Sequence, residues 1–151
     1  MLELDGIDFI AGVNKDGNIE VINKNGIGII SGTDSISYTY TGVDPLKYDR
    51  SFDSLNKEQI LAETINSHFP DGLLQLKQIF MAERAGDIVI SASPGFDLRS
   101  HYEFKEHFAT HGALCSGQML VPFLSNHAIE KEYLRTTDIF DFMKGLTVRE
   151  S

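Results

Sequence analysis

Apolar and polar positions first alternate with the period of two that marks strands, and later shift to a helical period. Ile7, Phe9 and Ala11 alternate with Asp8 and Ile10, and Gly17-Asn18-Ile19-Glu20-Val21-Ile22 follows the turn signal Asn14-Lys15-Asp16-Gly17. A second turn, Asn23-Lys24-Asn25-Gly26, leads into Ile27-Gly28-Ile29-Ile30, and Ser31-Gly32-Thr33-Asp34 precedes Ile36-Ser37-Tyr38-Thr39-Tyr40-Thr41. Four short strands separated by Gly, Asn and Asp turns predict an antiparallel meander over residues 1–50, with no recognisable site in it. Gly42-Val43-Asp44-Pro45-Leu46 closes that segment.

From residue 51 the pattern predicts an α/β segment running to residue 151. Asn56-Lys57-Glu58-Gln59 is a capping-box sequence, with Leu55 and Ile60 placed as a hydrophobic staple. Ile60, Leu61, Thr64 and Ile65 form one face of a helix that Pro70 is expected to end. Asp71 is expected to cap a second helix carrying Leu73, Leu74, Leu76, Ile79 and Phe80, with Gly86 as its C-terminal stop. Asp87-Ile88-Val89-Ile90-Ser91 is apolar at consecutive positions, as buried parallel strands are, and Ser93-Pro94-Gly95-Phe96 breaks it. The connection from Pro94 to Gly117 exceeds the ordinary loop length, which favours a functional loop. Val121-Pro122-Phe123-Leu124 reads as a short edge strand. Thr136-Thr137-Asp138 starts a last helix, buried through Ile139, Phe140, Phe142, Met143 and Leu146 and ending near Gly145. The fold class expected from these elements is α/β, becoming α+β if the chain stands alone.

Composition narrows the functions. The chain has 151 residues, 42% hydrophobic and 23% charged, the balance of a globular domain. With 22 acidic against 13 basic residues its formal charge is −9, and no basic cluster offsets it, so a nucleic-acid polymer is not an expected partner. No apolar run reaches the roughly 18 residues of a membrane span, and the amino terminus has no signal-peptide pattern. The one cysteine, Cys115, forms no internal disulfide.

Candidate chemistry gathers between residues 91 and 116. His107 and His111 are four apart, the spacing that puts two imidazoles on one helix face in many zinc sites, although Gly112 interrupts a helix there. Asp97 and His101 form an Asp-x-x-x-His spacing and, with His111, make up the three ligands of an open zinc site. The bland reading is a turn cap and a solvated histidine. Cys115 is a soft ligand or a nucleophile, or a packed core thiol. Ser91, Ser93 and Ser116 offer hydroxyls outside any Gly-x-Ser-x-Gly elbow, and no phosphate-binding glycine loop occurs.

Three stretches carry a family resemblance over roughly residues 67–146. Ser67-His68-Phe69-Pro70-Asp71, Ala85-Gly86-Asp87-Ile88-Val89-Ile90-Ser91-Ala92-Ser93-Pro94-Gly95-Phe96-Asp97 and Glu106-His107-Phe108-Ala109-Thr110-His111-Gly112-Ala113-Leu114 are similar to the carboxy-terminal part of the alkaline phosphatase superfamily. The nearest likeness is to its type I phosphodiesterase/nucleotide pyrophosphatase branch. Met119 to Leu124 and Leu134 to Phe140 fit the same scheme, in which the Thr-His-Gly loop leads into an edge strand and a last helix.

The resemblance implies an α/β/α sandwich of which this chain is the last part, with the β-rich start as an insertion or subdomain. It implies a hydrolase of phosphate esters, in which two metal ions, commonly zinc, lie about 4 Å apart and clamp the phosphoryl group. His111 matches the late histidine ligand of that site. The family's nucleophile and its earlier ligands have no counterpart: there is no Asp-His dipeptide and no nucleophile strand. Asp97 and His101 stand in the wrong place in the family's order. The chain is therefore expected to be inactive alone, and to pair as a homodimer or with a separately supplied amino-terminal part. Two alternatives stay open: a non-catalytic interaction domain, and a small metal-binding domain built on Asp97, His101 and His111.

Overall fold

The computed structural model describes residues 5–96, 98 and 112–148. They form two compact units, divided between Val121 and Pro122.

The first unit is built on a six-stranded antiparallel sheet. Strands β1 (Ile7–Val13), β2 (Ile19–Asn23), β3 (Gly26–Ser31) and β4 (Ile36–Gly42) form the expected meander, and β5 (Phe52–Leu55) continues it. The sixth strand, β6 (Ile88–Ala92), returns to the far side and gives the order β5-β4-β3-β2-β1-β6. The chain is α+β, and the expectation of a buried parallel strand at Asp87–Ser91 is corrected. β6 runs antiparallel to β1 at the sheet's edge, with Ile88 and Ile90 exposed. Its consecutive apolar residues serve two faces, only one of which is covered.

Cross-strand register explains the covered face. Val89, Ala11, Val21, Gly28 and Tyr40 lie in one row, and Ile19, Ile30, Tyr38 and Phe52 in the next. Helices α1 (Lys57–Thr64) and α2 (Gly72–Met81) supply Ile60, Leu73 and Leu76, which join these rows in one core. Burying each large side chain of this kind contributes about 1.5–3 kcal/mol. Phe9 and Phe69, both fully buried, meet edge to face with ring centres 5.3 Å apart. The opposite face carries Ile90, Ile10, Ile22 and Ile27 in a single register row that neither α1 nor α2 covers.

The capping box of α1 forms as its sequence implies. Asn56 Oδ1 accepts from the Gln59 N–H at 2.9 Å, and Gln59 Oε1 accepts from the Asn56 N–H at 2.9 Å. The helix stops at Thr64, well short of Pro70. There the buried Thr64 hydroxyl donates back to the Ile60 carbonyl at 2.6 Å and accepts the Asp71 N–H at 2.8 Å, turning the chain before proline is reached. Asp71 does occupy the position preceding α2, but in the left-handed conformation and without a side-chain cap bond. Its carboxylate takes Gln75 Nε2 instead. Helix α2 ends at Met81 with Ala82 as its last cap, so Gly86 does not serve that purpose.

One buried carboxylate organises the β4–β5 connection. Asp44 is 2% exposed and accepts four hydrogen bonds: from the Tyr38 hydroxyl and the Leu46 N–H on one oxygen, and from the Tyr48 and Asp49 N–H groups on the other. Burial first, and the Asp44 carboxylate second, push the Tyr38 hydroxyl far above the ordinary tyrosine range, and burial does the same to Tyr48. To reach Asp44 the Tyr38 ring lies across Gly28, where a Cβ would come within 2.6 Å of Tyr38 Oη. Only glycine fits there.

In the first unit a single helical turn, α3 (Ser116–Met119), follows the region between β6 and Gly112. The strand expected at Val121–Leu124 does not form, and these residues carry no regular structure. The second unit holds α4 (Thr136–Val148), which runs through Gly145 rather than ending there. Asp138 Oδ2 accepts the Arg135 N–H at 2.9 Å, the main reason its carboxyl is held below the usual range, and Oδ1 accepts from Lys131 Nζ at 3.2 Å. Phe123 meets Phe142 edge to face at 5.7 Å within the same unit.

Candidate functional site

Asp97, His101, His107, Thr110 and His111 all lie outside the described residues. What is described is the chain that immediately follows His111. Gly112 has φ +101°, a conformation that L side chains rarely adopt, while a Cβ built there would meet nothing within 4 Å. The glycine therefore answers a backbone requirement, and not the close packing expected of it.

After that turn the chain is fastened down. The Ala113 N–H donates to Gln118 Oε1 at 2.9 Å, and Ala113 and Leu114 pack against the core. Cys115 is buried among the core side chains, and the Ser116 N–H donates to the His68 carbonyl at 2.9 Å. The carboxyl side of the Thr-His-Gly run is thus tied to the link between α1 and α2.

A cleft of about 270 Å³ opens beside this segment. The end of β6 forms one wall through Val89, Ser91 and Ser93, and Leu114 and Cys115 form another, with Phe9 between them. Leu98 and Gly112, the described residues that flank positions 99–111, also line it. Ser91 Oγ is buried with no hydrogen-bond partner among the described residues.

Next to the cleft lies a polar cluster that no spacing in the sequence announced. The β1–β6 register slips between Ile7 and Phe9, leaving Asp8 as a bulged residue. Bulges re-aim side chains and are frequent near functional sites. Asp8 Oδ1 accepts from Lys47 Nζ at 3.0 Å and from the Ser93 hydroxyl at 3.1 Å. His68 Nε2 stands 3.5 Å from Lys47 Nζ and 3.9 Å from Asp8 Oδ2. That second carboxylate oxygen is buried and finds no hydrogen-bond donor among the described residues. Lys47 holds a positive φ of 55° and sets its ammonium 5.3 Å from the centre of the Phe69 ring. Hydroxyl, carboxylate, ammonium and imidazole therefore converge from four places in the chain. The one local signal was a carboxylate inside the otherwise apolar run from Ile7 to Ala11.

Among the described residues no group of three or more His, Cys, Asp and Glu side chains is placed to hold a metal ion. The cluster brings one carboxylate and one imidazole together with a resident ammonium, too few ligands for zinc, which takes three or four. No described side chain therefore completes a zinc site around His111, and no reaction step is routed through a metal here. None of the helices is long and apolar enough to cross a membrane among the described residues. Comparison with known proteins found no family model, no curated protein and no solved structure that matches the chain.

Proposed function

We propose that this chain is the carboxy-terminal part of a metal-dependent phosphodiesterase or phosphatase of the alkaline phosphatase superfamily, to which it contributes one zinc ligand, His111. The observation that carries the reading is the run of motifs from Ala85 to Asp97 and from Glu106 to Leu114, ending in Thr110-His111-Gly112. The left-handed Gly112 and the clamped segment from Ala113 to Ser116 support it, because a ligand histidine needs a fixed backbone beside it. Nucleophile and remaining ligands belong to the rest of the enzyme, whose substrate is a small phosphate ester. The chain alone performs no hydrolysis.

Calorimetric titration with zinc chloride, alongside an assay on a nitrophenyl phosphodiester, tests this. Weak zinc binding that weakens further in His111→Ala, with no turnover, is the expected result. Metal-dependent turnover abolished by His111→Ala would overturn the inactivity of the lone chain. Tight stoichiometric zinc binding would favour the self-contained site of Asp97, His101 and His111.

A second reading, a non-catalytic interaction module, draws on the bare edge of β6 and the isoleucine row beside it. An unpaired edge strand is a template for pairing with another chain, here a second copy. Sedimentation velocity over a wide concentration range addresses it, and a strict monomer at the highest concentration removes self-pairing.

A further inference from the structure

We propose that the cleft between the end of β6 and the Leu114–Cys115 wall binds a small aromatic hydrogen-bond donor of the phenol class. The inference rests on neither His111 nor a metal.

Size and lining set the class of ligand. An apolar cavity of about 150 Å³ accommodates one benzene ring, so the 270 Å³ here takes a ring bearing a polar substituent. Phe9, Val89 and Leu114 give the cleft apolar walls, and the Cys115 sulfur is a soft neighbour for a ring edge. Phe96, half exposed at the cleft, offers a second aromatic surface.

Ser93 sets the polarity the ligand must have. Its hydroxyl proton is committed to Asp8 Oδ1, and Lys47 holds that carboxylate in an ion pair. A serine that has given away its proton offers only lone pairs to a ligand, and donation to a carboxylate makes its oxygen a stronger acceptor. The ligand must therefore supply the donor. A phenol hydroxyl does so, whereas the matching methyl ether, equal in its apolar contacts, leaves Ser93 without a partner and brings an acceptor against an acceptor. Sites built around a hydrogen bond discriminate strongly against analogues lacking it. Ser91 Oγ, beneath the same wall and without a partner among the described residues, adds hydroxyl capacity of its own.

Cys115 makes occupancy measurable, because it is the chain's one cysteine and lines the cleft. The experiment titrates the full chain with phenol and with anisole by calorimetry, and follows alkylation of Cys115 by iodoacetamide with and without each compound. Saturable phenol binding, slower alkylation at saturation, and about tenfold weaker binding of anisole are expected. Ser93→Ala should reduce phenol to the level of anisole and leave anisole unchanged. Equal binding of phenol and anisole, or no effect of phenol on alkylation, would overturn the proposal. The comparison of the two probes on the unaltered chain decides the matter even if Ser93→Ala does not fold.

Discussion

Two aspartates of the first unit, Asp44 and Asp8, show how differently one chemical group can be used. Asp44 spends both oxygens on four donors within six residues of itself, and nothing about it is left over. Asp8 spends one oxygen on Lys47 and Ser93, and keeps the other buried without a donor. A satisfied buried carboxylate is a structural anchor, because every donor it holds would otherwise be stranded. A half-satisfied one gains little stability and keeps unused binding capacity, which is the mark of a site.

Asp44→Ala should break the contrast from its strong side. It strands the Tyr38 hydroxyl and three backbone N–H groups, and should cost about 3–5 kcal/mol in urea unfolding. Gly28→Val attacks the same anchor from behind, since the new side chain must displace the Tyr38 ring. An overpacking loss of about 1–3 kcal/mol is expected, visible as a lower Tm with the sheet's circular dichroism retained.

Alkali should loosen the anchor as well. Folding raises the titration of Tyr38 and Tyr48, with burial as the main cause. Above about pH 10, where an unfolded tyrosine loses its proton, the folded chain retains protons that the unfolded chain releases. Stability is thus intact below that pH and falls as pH rises through it. Denaturant melts from pH 8 to 11 should show that decline, and Tyr38→Phe should flatten it while lowering stability at neutral pH. Asp8→Asn is expected to have the smallest effect, within about 1 kcal/mol, because its partner Lys47 is substantially exposed. A loss comparable to that of Asp44→Ala would erase the distinction between the two aspartates.

Much of the sheet could be read in advance because its information is local. The turns at Asn14–Gly17 and Asn23–Gly26, the alternating isoleucines and the Asn56–Gln59 capping box each sit within a few residues of what they specify. Strand β5 escaped notice because Phe52-Asp53-Ser54-Leu55 is short, half polar and carries a positive φ at Ser54. The direction of β6 escaped because an apolar run has the same composition whether it pairs parallel or antiparallel, and the partner is decided by distant packing. The polar cluster was illegible for the same reason. Lys47 is 39 residues from Asp8, and Ser93 is 85 away. Thr110-His111-Gly112, the most legible candidate of all, contributes its Gly112 backbone and the anchored segment behind it to what the structure describes.

The late return of β6 to the first strand also sets an order of assembly. Strands β1 to β4 meet their neighbours through short turns, so their loops close at little entropic cost, whereas β6 must find β1 across most of the unit. The cleft wall and the Ser93 hydroxyl ride on that final pairing, so they are completed last during folding. As an edge element, β6 should also open before the meander does, and its amides should exchange with deuterium sooner than those of β2 and β3. A ligand held in the cleft would then act as a clasp, slowing β6 exchange while leaving the meander's timing untouched.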